Sequence, residues 1–279
     1  MNRIDRAFSR LRRRGEAALI PFVTAGDPDL DTTEALVLEM ARRGADIVEL
    51  GIPFSDPLAD GPTIQAASQR ALEGGVTPAE ILGLVRRIRR RSEVPLVLMG
   101  YYNPVLQFGL EAFAAAAAEA GADGTIVPDL PLEEAGPWSR AARAHGLANV
   151  LLAAPTTPPE RVRRLAAATR GFLYYVSVAG ITGARSELPP ELAAALRAVK
   201  GLSRRPVAVG FGISRADQVA ALAAVADGII VGSALVRLVE AHCTRRDGRL
   251  AAGPGLVAAV GGFVAELKAA TRTAAGRRG

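Results

Sequence analysis

The chain has 279 residues, a formal net charge of +6, 49% hydrophobic residues and one cysteine, Cys243. A single cysteine with no CxxC neighbour excludes an intramolecular disulfide framework and a cysteine-rich zinc site, and it fits a reducing cytoplasm. No apolar run reaches bilayer-spanning length and no secretory signal is recognisable, so a soluble, cytoplasmic chain without membrane association is expected. Of the 34 basic residues only Lys200 and Lys268 are lysines, and the arginines are scattered over many helical stretches, which reads as solvated helix faces and not as a nucleic-acid footprint.

In chain order, the segment IDRAFSRLRRRG comes first. Ile4, Phe8 and Leu11 recur there at helical spacing, so residues 1–14 are expected to form an amphipathic helix with a basic outer face. Eight short apolar runs follow: ALIPFVT (18–24), DIVELG (46–51), PLVLMG (95–100), GTIVP (124–128), ANVLLA (148–153), FLYYVS (172–177), PVAVG (206–210) and GIIVG (228–232). They are apolar almost without alternation, as parallel strands covered on both faces are. Between them lie Ala-, Leu- and Arg-rich stretches such as 33–43, 110–120, 158–168 and 216–224, which favour helix. Eight strand–helix units in series predict an α/β fold of the (β/α)8 barrel type. A doubly wound sheet is disfavoured, because no GxGxxG follows the first strand. Helical material at 255–273 is expected to cap the barrel, residues 274–279 read as a flexible tail, and no composition break divides residues 1–279 into two domains.

Barrel chemistry belongs at the carboxyl ends of the strands. Glu49 lies near the end of the second run and alternates with Val48 and Leu50; if those two face the outer helices, Glu49 points into the mouth. A buried carboxylate is costly, so Glu49 is either a structural group bonded to backbone or arginine, or a catalytic acid. The loop that follows, PFSDPLADG, adds Asp56 and Asp60. Each has an ordinary reading, Asp56 in a turn before Pro57 and Asp60 as a cap for the helix that begins near Pro62.

Glycine loops follow the sixth, seventh and eighth runs: Gly180 to Gly183, Gly210 and Gly212, and Gly232 with Ser233. Singly they are turn geometry. Together, at adjacent strand ends, they form an anion corner of backbone amides, with no Lys or Arg before Arg185 and Arg215.

The segments PFVTAGDPD, VELGIPFSDPLADGPTIQ, MGYYNPVLQFG, VPDLPLEE, SVAGITGAR, GFGIS and VGSALV resemble, in this order and at similar spacing, the family of tryptophan synthase α subunits. The resemblance covers essentially the whole chain. It implies retro-aldol cleavage of indole-3-glycerol phosphate to indole and glyceraldehyde 3-phosphate, with no metal or organic cofactor on this chain. It further implies Glu49 as general acid, Asp60 as the carboxylate that accepts the indole N–H, and Tyr174, in place of its neighbour Tyr175, as the catalytic tyrosine. Phe22, Tyr101 and Phe211 match the indole slot, Thr182 a loop contact that covers substrate, and Gly183, Gly212, Gly232 and Ser233 the phosphate site. The implied partner is a β subunit carrying pyridoxal phosphate in an α2β2 complex, with Asp56 at the contact. Gly100 and Val178 depart from common family patterns. Two other readings stand beside it: indole-glycerol-phosphate synthase, which needs a lysine at a strand's carboxyl end, and a non-catalytic activating subunit.

Overall fold

The computed structural model describes residues 2–177, 190–210, 212–246 and 249–273. In chain order the elements are α1 (Arg3–Arg14), β1 (Ala18–Thr24), α2 (Leu30–Arg42), β2 (Val48–Gly51), α3 (Pro62–Glu73), α4 (Pro78–Arg89), β3 (Leu96–Met99), α5 (Tyr102–Phe108), α6 (Leu110–Ala120) and β4 (Gly124–Ile126). They continue with α7 (Gly136–Ala144), β5 (Ala148–Ala153), α8 (Pro159–Ala168), β6 (Leu173–Val176), α9 (Pro190–Leu202), β7 (Val207–Gly210), α10 (Ala216–Ala223), β8 (Gly228–Val231), α11 (Ser233–Ala241), β9 (Cys243–Arg246), β10 (Arg249–Ala252) and α12 (Leu256–Thr273). Strands β1 to β8 pair in parallel and close into one barrel, with β1 returning to β8 through Ala18↔Gly228 to Pro21↔Val231. Every apolar run of the sequence contains one of these strands.

Side-chain alternation sorts the strand residues into two layers. Val48, Leu50, Leu96, Leu98, Tyr175, Val209 and Ile229 face outward into the shell packed by the helices. Ala18, Ile20, Ile47, Val97, Ile126, Val150, Phe172, Ala208 and Ile230 face inward. The inner layer is sealed from below by α1, whose Ile4, Ala7, Phe8 and Leu11 join the same cluster. That helix is well started and well stopped. Asn2 and Asp5 form a reciprocal capping box, and Gly15 ends it in the left-handed region at φ 64°. Gly124 lets it seat closely, since a Cβ there would lie 2.8 Å from the Ala148 carbonyl oxygen and 3.1 Å from Ile4.

The expectation that the C-terminal helix caps the barrel is corrected. Helix α12 packs between α2 and α10 and completes the outer ring, while the floor is covered by α1. A buried ion pair holds α12 in place, with Lys268 Nζ 2.8 Å from Asp46 Oδ2 and 3.3 Å from Glu16. The hairpin β9–β10 was not anticipated either.

The floor carries a repeated device. Asp46, just before β2, accepts from the Leu19 amide of β1 at 3.0 Å; Asp123, before β4, from Leu96 of β3 at 2.9 Å; and Asp227, before β8, from Val207 of β7 at 2.9 Å. Ahead of β6, Thr169 Oγ1 accepts from Leu151 of β5 at 3.0 Å. Cations neutralise the three carboxylates: Lys268 and Arg10 at Asp46, Arg89 and Arg3 at Asp123, Lys200 at Asp227.

Candidate active site

At the other end of the barrel, β2 places Glu49 in register with Phe22 of β1 and Val97 of β3. With Val48 and Leu50 in the outer shell, the Glu49 side chain points inward, as the alternation predicted. It is 1% exposed, and neither carboxylate oxygen has a hydrogen-bond partner among the described residues. Among the described residues, then, no backbone group or arginine bonds Glu49 as the structural reading requires. Desolvation, with a smaller contribution from the Asp60 charge, pushes the Glu49 pKa up to about 8, so at neutral pH the group holds its proton.

Across the mouth stands Tyr174 of β6. It packs with the inner layer, whereas Tyr175 is buried in the outer shell. The Tyr174 phenol is raised well above its usual pKa by burial, then by the charges of Glu49 and Asp60, and stays a neutral hydroxyl. Gly210 of β7 leaves room for it, since a Cβ there would lie 2.6 Å from the Tyr174 oxygen.

Asp60 comes from the loop between β2 and α3. It does not cap α3, whose N-cap is Gly61 with no side-chain bond. Its Oδ2 instead accepts from the Tyr101 hydroxyl at 3.0 Å, and the same hydroxyl accepts from the Ala59 amide at 2.9 Å. Burial raises the Asp60 pKa and the Tyr101 bond opposes the rise. The Tyr101 ring stacks on Phe54, centroids 5.3 Å apart. Gln65 of α3 donates to the Asp60 carbonyl at 2.8 Å, tying the loop to the helix behind it.

Helix α3 is held over the mouth by Arg70, which makes two 2.8 Å bonds to the buried Asp27 in the loop after β1. Phe22, 4% exposed, packs there with Ile64 and Ala67 of α3, Val236 of α11 and Met99 of β3. This apolar wall borders the glycine corner: a Cβ on Gly232 would meet Phe22 at 3.6 Å and Ile64 at 3.8 Å. Ser233 is the first residue of α11, which has no side-chain cap on its opening amides. Gly212 adopts φ 65°, a conformation that favours glycine. Thr182, Gly183 and Phe211 lie outside the described residues, as do Gly180, Arg185 and Val178.

Some residues of the mouth were not singled out from sequence. Ile64 and Met99 join the apolar wall, and Met99 carried a signal, two positions beyond the inward Val97. Thr24, on the Phe22 face of β1, is 3% exposed with an unpartnered hydroxyl. Asp56 is exposed and receives the Ser55 hydroxyl at 2.5 Å. Beside it Leu58 is 92% exposed, and Leu106 and Phe108 of α5 complete the large apolar side chains exposed among the described residues. Two surface clefts, about 620 Å3 between α2 and α12 and about 540 Å3 beside β9–β10, contain none of the candidate residues. Among the described residues no cluster of His, Cys, Asp and Glu suits a metal ion, and no helix is long and apolar enough to cross a membrane.

The sequence model of one family, described as tryptophan synthase alpha chain, matches residues 8–254. The chain belongs to this family. A tryptophan synthase alpha chain of Geobacter sulfurreducens is 53% identical over 249 residues, covering 89% of this chain and 94% of that one. The one from Gloeobacter violaceus is 48% identical over 273 residues, covering 97% and 95%. Among solved structures, tryptophan synthase subunit alpha from Legionella pneumophila superposes with a TM-score of 0.87 at 41% identity, covering 98% of this chain and 99% of that one. A Pyrococcus furiosus structure, described as concerning mutual activation of the tryptophan synthase a2b2 complex, gives 0.82 at 42% identity and covers 90% and 98%.

Proposed function

We propose that Glu49, Asp60 and Tyr174 carry the family's lyase reaction, cleavage of indole-3-glycerol phosphate to indole and glyceraldehyde 3-phosphate in tryptophan biosynthesis. One observation carries the assignment: Glu49 is buried, unpartnered and protonated near neutral pH, facing a second carboxyl group and a neutral tyrosine. Indole leaves poorly as a carbanion, so ring carbon C3 must first be protonated. Glu49 gives that proton, and positive charge develops at the ring nitrogen. Asp60, ionised, accepts the ring N–H and stabilises the charge. The bond between C3 and the side-chain carbinol carbon then breaks, its electron pair returns to the ring, and the carbinol proton passes to the Glu49 carboxylate as the aldehyde forms. Glu49 ends protonated, ready for the next substrate.

The apolar wall of Phe22, Ile64 and Met99, with the Tyr101 ring, suits the flat indole. The amides at Gly232 and Ser233 after β8, with Gly212 after the neighbouring strand β7 and Gly183 by family resemblance, suit the phosphate. Thr182 and Phe211 take the covering and slot roles that the family resemblance implies. No step needs a cofactor on this chain; pyridoxal phosphate belongs to the β subunit, the partner in an α2β2 complex. Asp56, with exposed Leu58 on the same loop and exposed Leu106 and Phe108 on α5, suits the partner contact. A cytoplasmic location suits a biosynthetic enzyme with one free cysteine.

The indole-glycerol-phosphate synthase reading lacks its lysine among the described residues. Lys200 and Lys268 are bound to Asp227 and Asp46 at the barrel floor, opposite the mouth. The deciding experiment incubates the purified chain, and Glu49→Gln and Asp60→Asn variants, with indole-3-glycerol phosphate and measures indole. Loss of release by orders of magnitude in both folded variants supports the assignment; near-normal release by Glu49→Gln removes it.

A further inference from the structure

We infer that Tyr101 is a positioning residue for Asp60, holding one carboxylate oxygen so that the other is presented to the ring nitrogen of the substrate. The hydroxyl bridges two points of the loop, donating to Asp60 Oδ2 at 3.0 Å and accepting from the Ala59 amide at 2.9 Å, across more than forty residues of sequence. Among the described residues the Tyr101 hydroxyl bonds Asp60 through Oδ2 alone, and Oδ1 has no partner there. The ring is itself fixed, 4% exposed and stacked on Phe54. The next residue, Tyr102, donates its amide to the Asp129 carboxylate at 2.9 Å, anchoring the start of α5. Tyr101 thus joins the loop to the end of β3 through a side chain with little freedom of its own.

The electrostatics of the mouth give this bond its weight. The titratable groups that face Asp60 are Glu49 from β2, Tyr174 from β6 and Tyr101 itself, and Asp129 acts on Tyr101 from behind. None of these is a cation. Burial disfavours the Asp60 carboxylate, and among the described residues the Tyr101 hydroxyl is the group that lowers its pKa. A carboxylate that must stay ionised to receive positive charge from the ring depends on that donor. The role differs from the slot contact implied by family resemblance, because it acts through Asp60 and not through substrate affinity.

The test uses the complete chain in the indole-release assay, with Y101F keeping the ring on Phe54 and removing the hydroxyl alone. For a hydrogen bond to a charged group, kcat falls about tenfold while KM stays within about twofold. The acid limb of kcat/KM moves to higher pH, since Asp60 loses the donor that keeps it ionised. On a D60N background Y101F costs nothing further, and where D60N sits at the assay background the pH limb of Y101F decides alone. A KM rise at unchanged kcat makes Tyr101 a substrate-packing residue and overturns the inference; so does an acid limb that stays in place, or an additive loss on D60N. The inference rests on Asp60 as the carboxylate that stabilises the ring. Undiminished cleavage by D60N would remove that assignment itself, whereas an impaired D60N with an unimpaired Y101F removes only the role of Tyr101.

Discussion

Replacing Glu49 with Gln should abolish cleavage and at the same time stabilise the fold at neutral pH. The carboxyl titrates near 4.5 in an open chain and near 8 in its buried site. Because the folded value is raised, the folded state holds a proton that the unfolded state releases once pH exceeds 4.5. Stability therefore falls as pH rises, by about 1.4 kcal/mol per pH unit, until the folded group also ionises near 8. At pH 7 the accumulated loss is about 3 kcal/mol. Gln is nearly isosteric and never ionises, so the variant escapes this loss; its amide inherits the same unpartnered surroundings that the neutral carboxyl occupies now. Urea unfolding at pH 5 and pH 7.5, followed by far-ultraviolet circular dichroism, measures the difference. The variant should gain little at pH 5 and roughly 3 to 4 kcal/mol at pH 7.5. An advantage that does not grow with pH, or a variant less stable than the parent at pH 7.5, would refute the picture of a proton held by burial.

Gly232→Val should raise KM for indole-3-glycerol phosphate roughly tenfold or more by filling the space beside the opening amides of α11. Gly232 is the better choice over Gly212, whose φ of 65° would add backbone strain to any side chain, and an unchanged KM in a folded variant would move the phosphate elsewhere. Asp123→Ala leaves Arg89 without its buried carboxylate and should cost about 3 kcal/mol in urea unfolding while leaving kcat of the folded enzyme unchanged. Asp56→Ala should leave cleavage by the isolated chain intact but reduce the rise in kcat on adding a cognate β subunit; equal activation of both forms would take Asp56 out of the contact.

The strands were readable because a parallel strand covered on both faces has no reason to alternate, and each apolar run holds one. Glu49 was readable for the complementary reason, as a charge set between the apolar Val48 and Leu50. Its surroundings were not, since the absence of any partner is a property of three-dimensional packing. The ordinary reading of Asp60 as a helix cap gave way because Gly61 occupies that position and the carboxylate turns toward Tyr101, a partner too far along the chain for any local pattern to announce. The place of α12 was hidden for a similar reason. Its amphipathic pattern specifies a buried face, and the gap between α2 and α10 decides what that face meets. The floor aspartates look like ordinary residues at strand starts, and their regularity emerges only when the neighbouring amide is known.

That regularity divides the barrel into four doublets, β1–β2, β3–β4, β5–β6 and β7–β8, each pinned at its base by one side-chain oxygen. Between doublets, among the described residues, the corresponding floor contacts are backbone bonds alone, such as Ala148 N to Asp123 O and Ala18 N to Asp227 O. Glu49 stands in the first doublet, Tyr174 in the third and the glycine corner with the fourth, so the chemistry is assembled across seams and no doublet is competent alone. A chain severed between β4 and β5 would leave two halves with every pin intact. Lys268 in one half would still have Asp46 in the other to find, a buried ion pair that doubles as a docking mark for rejoining them.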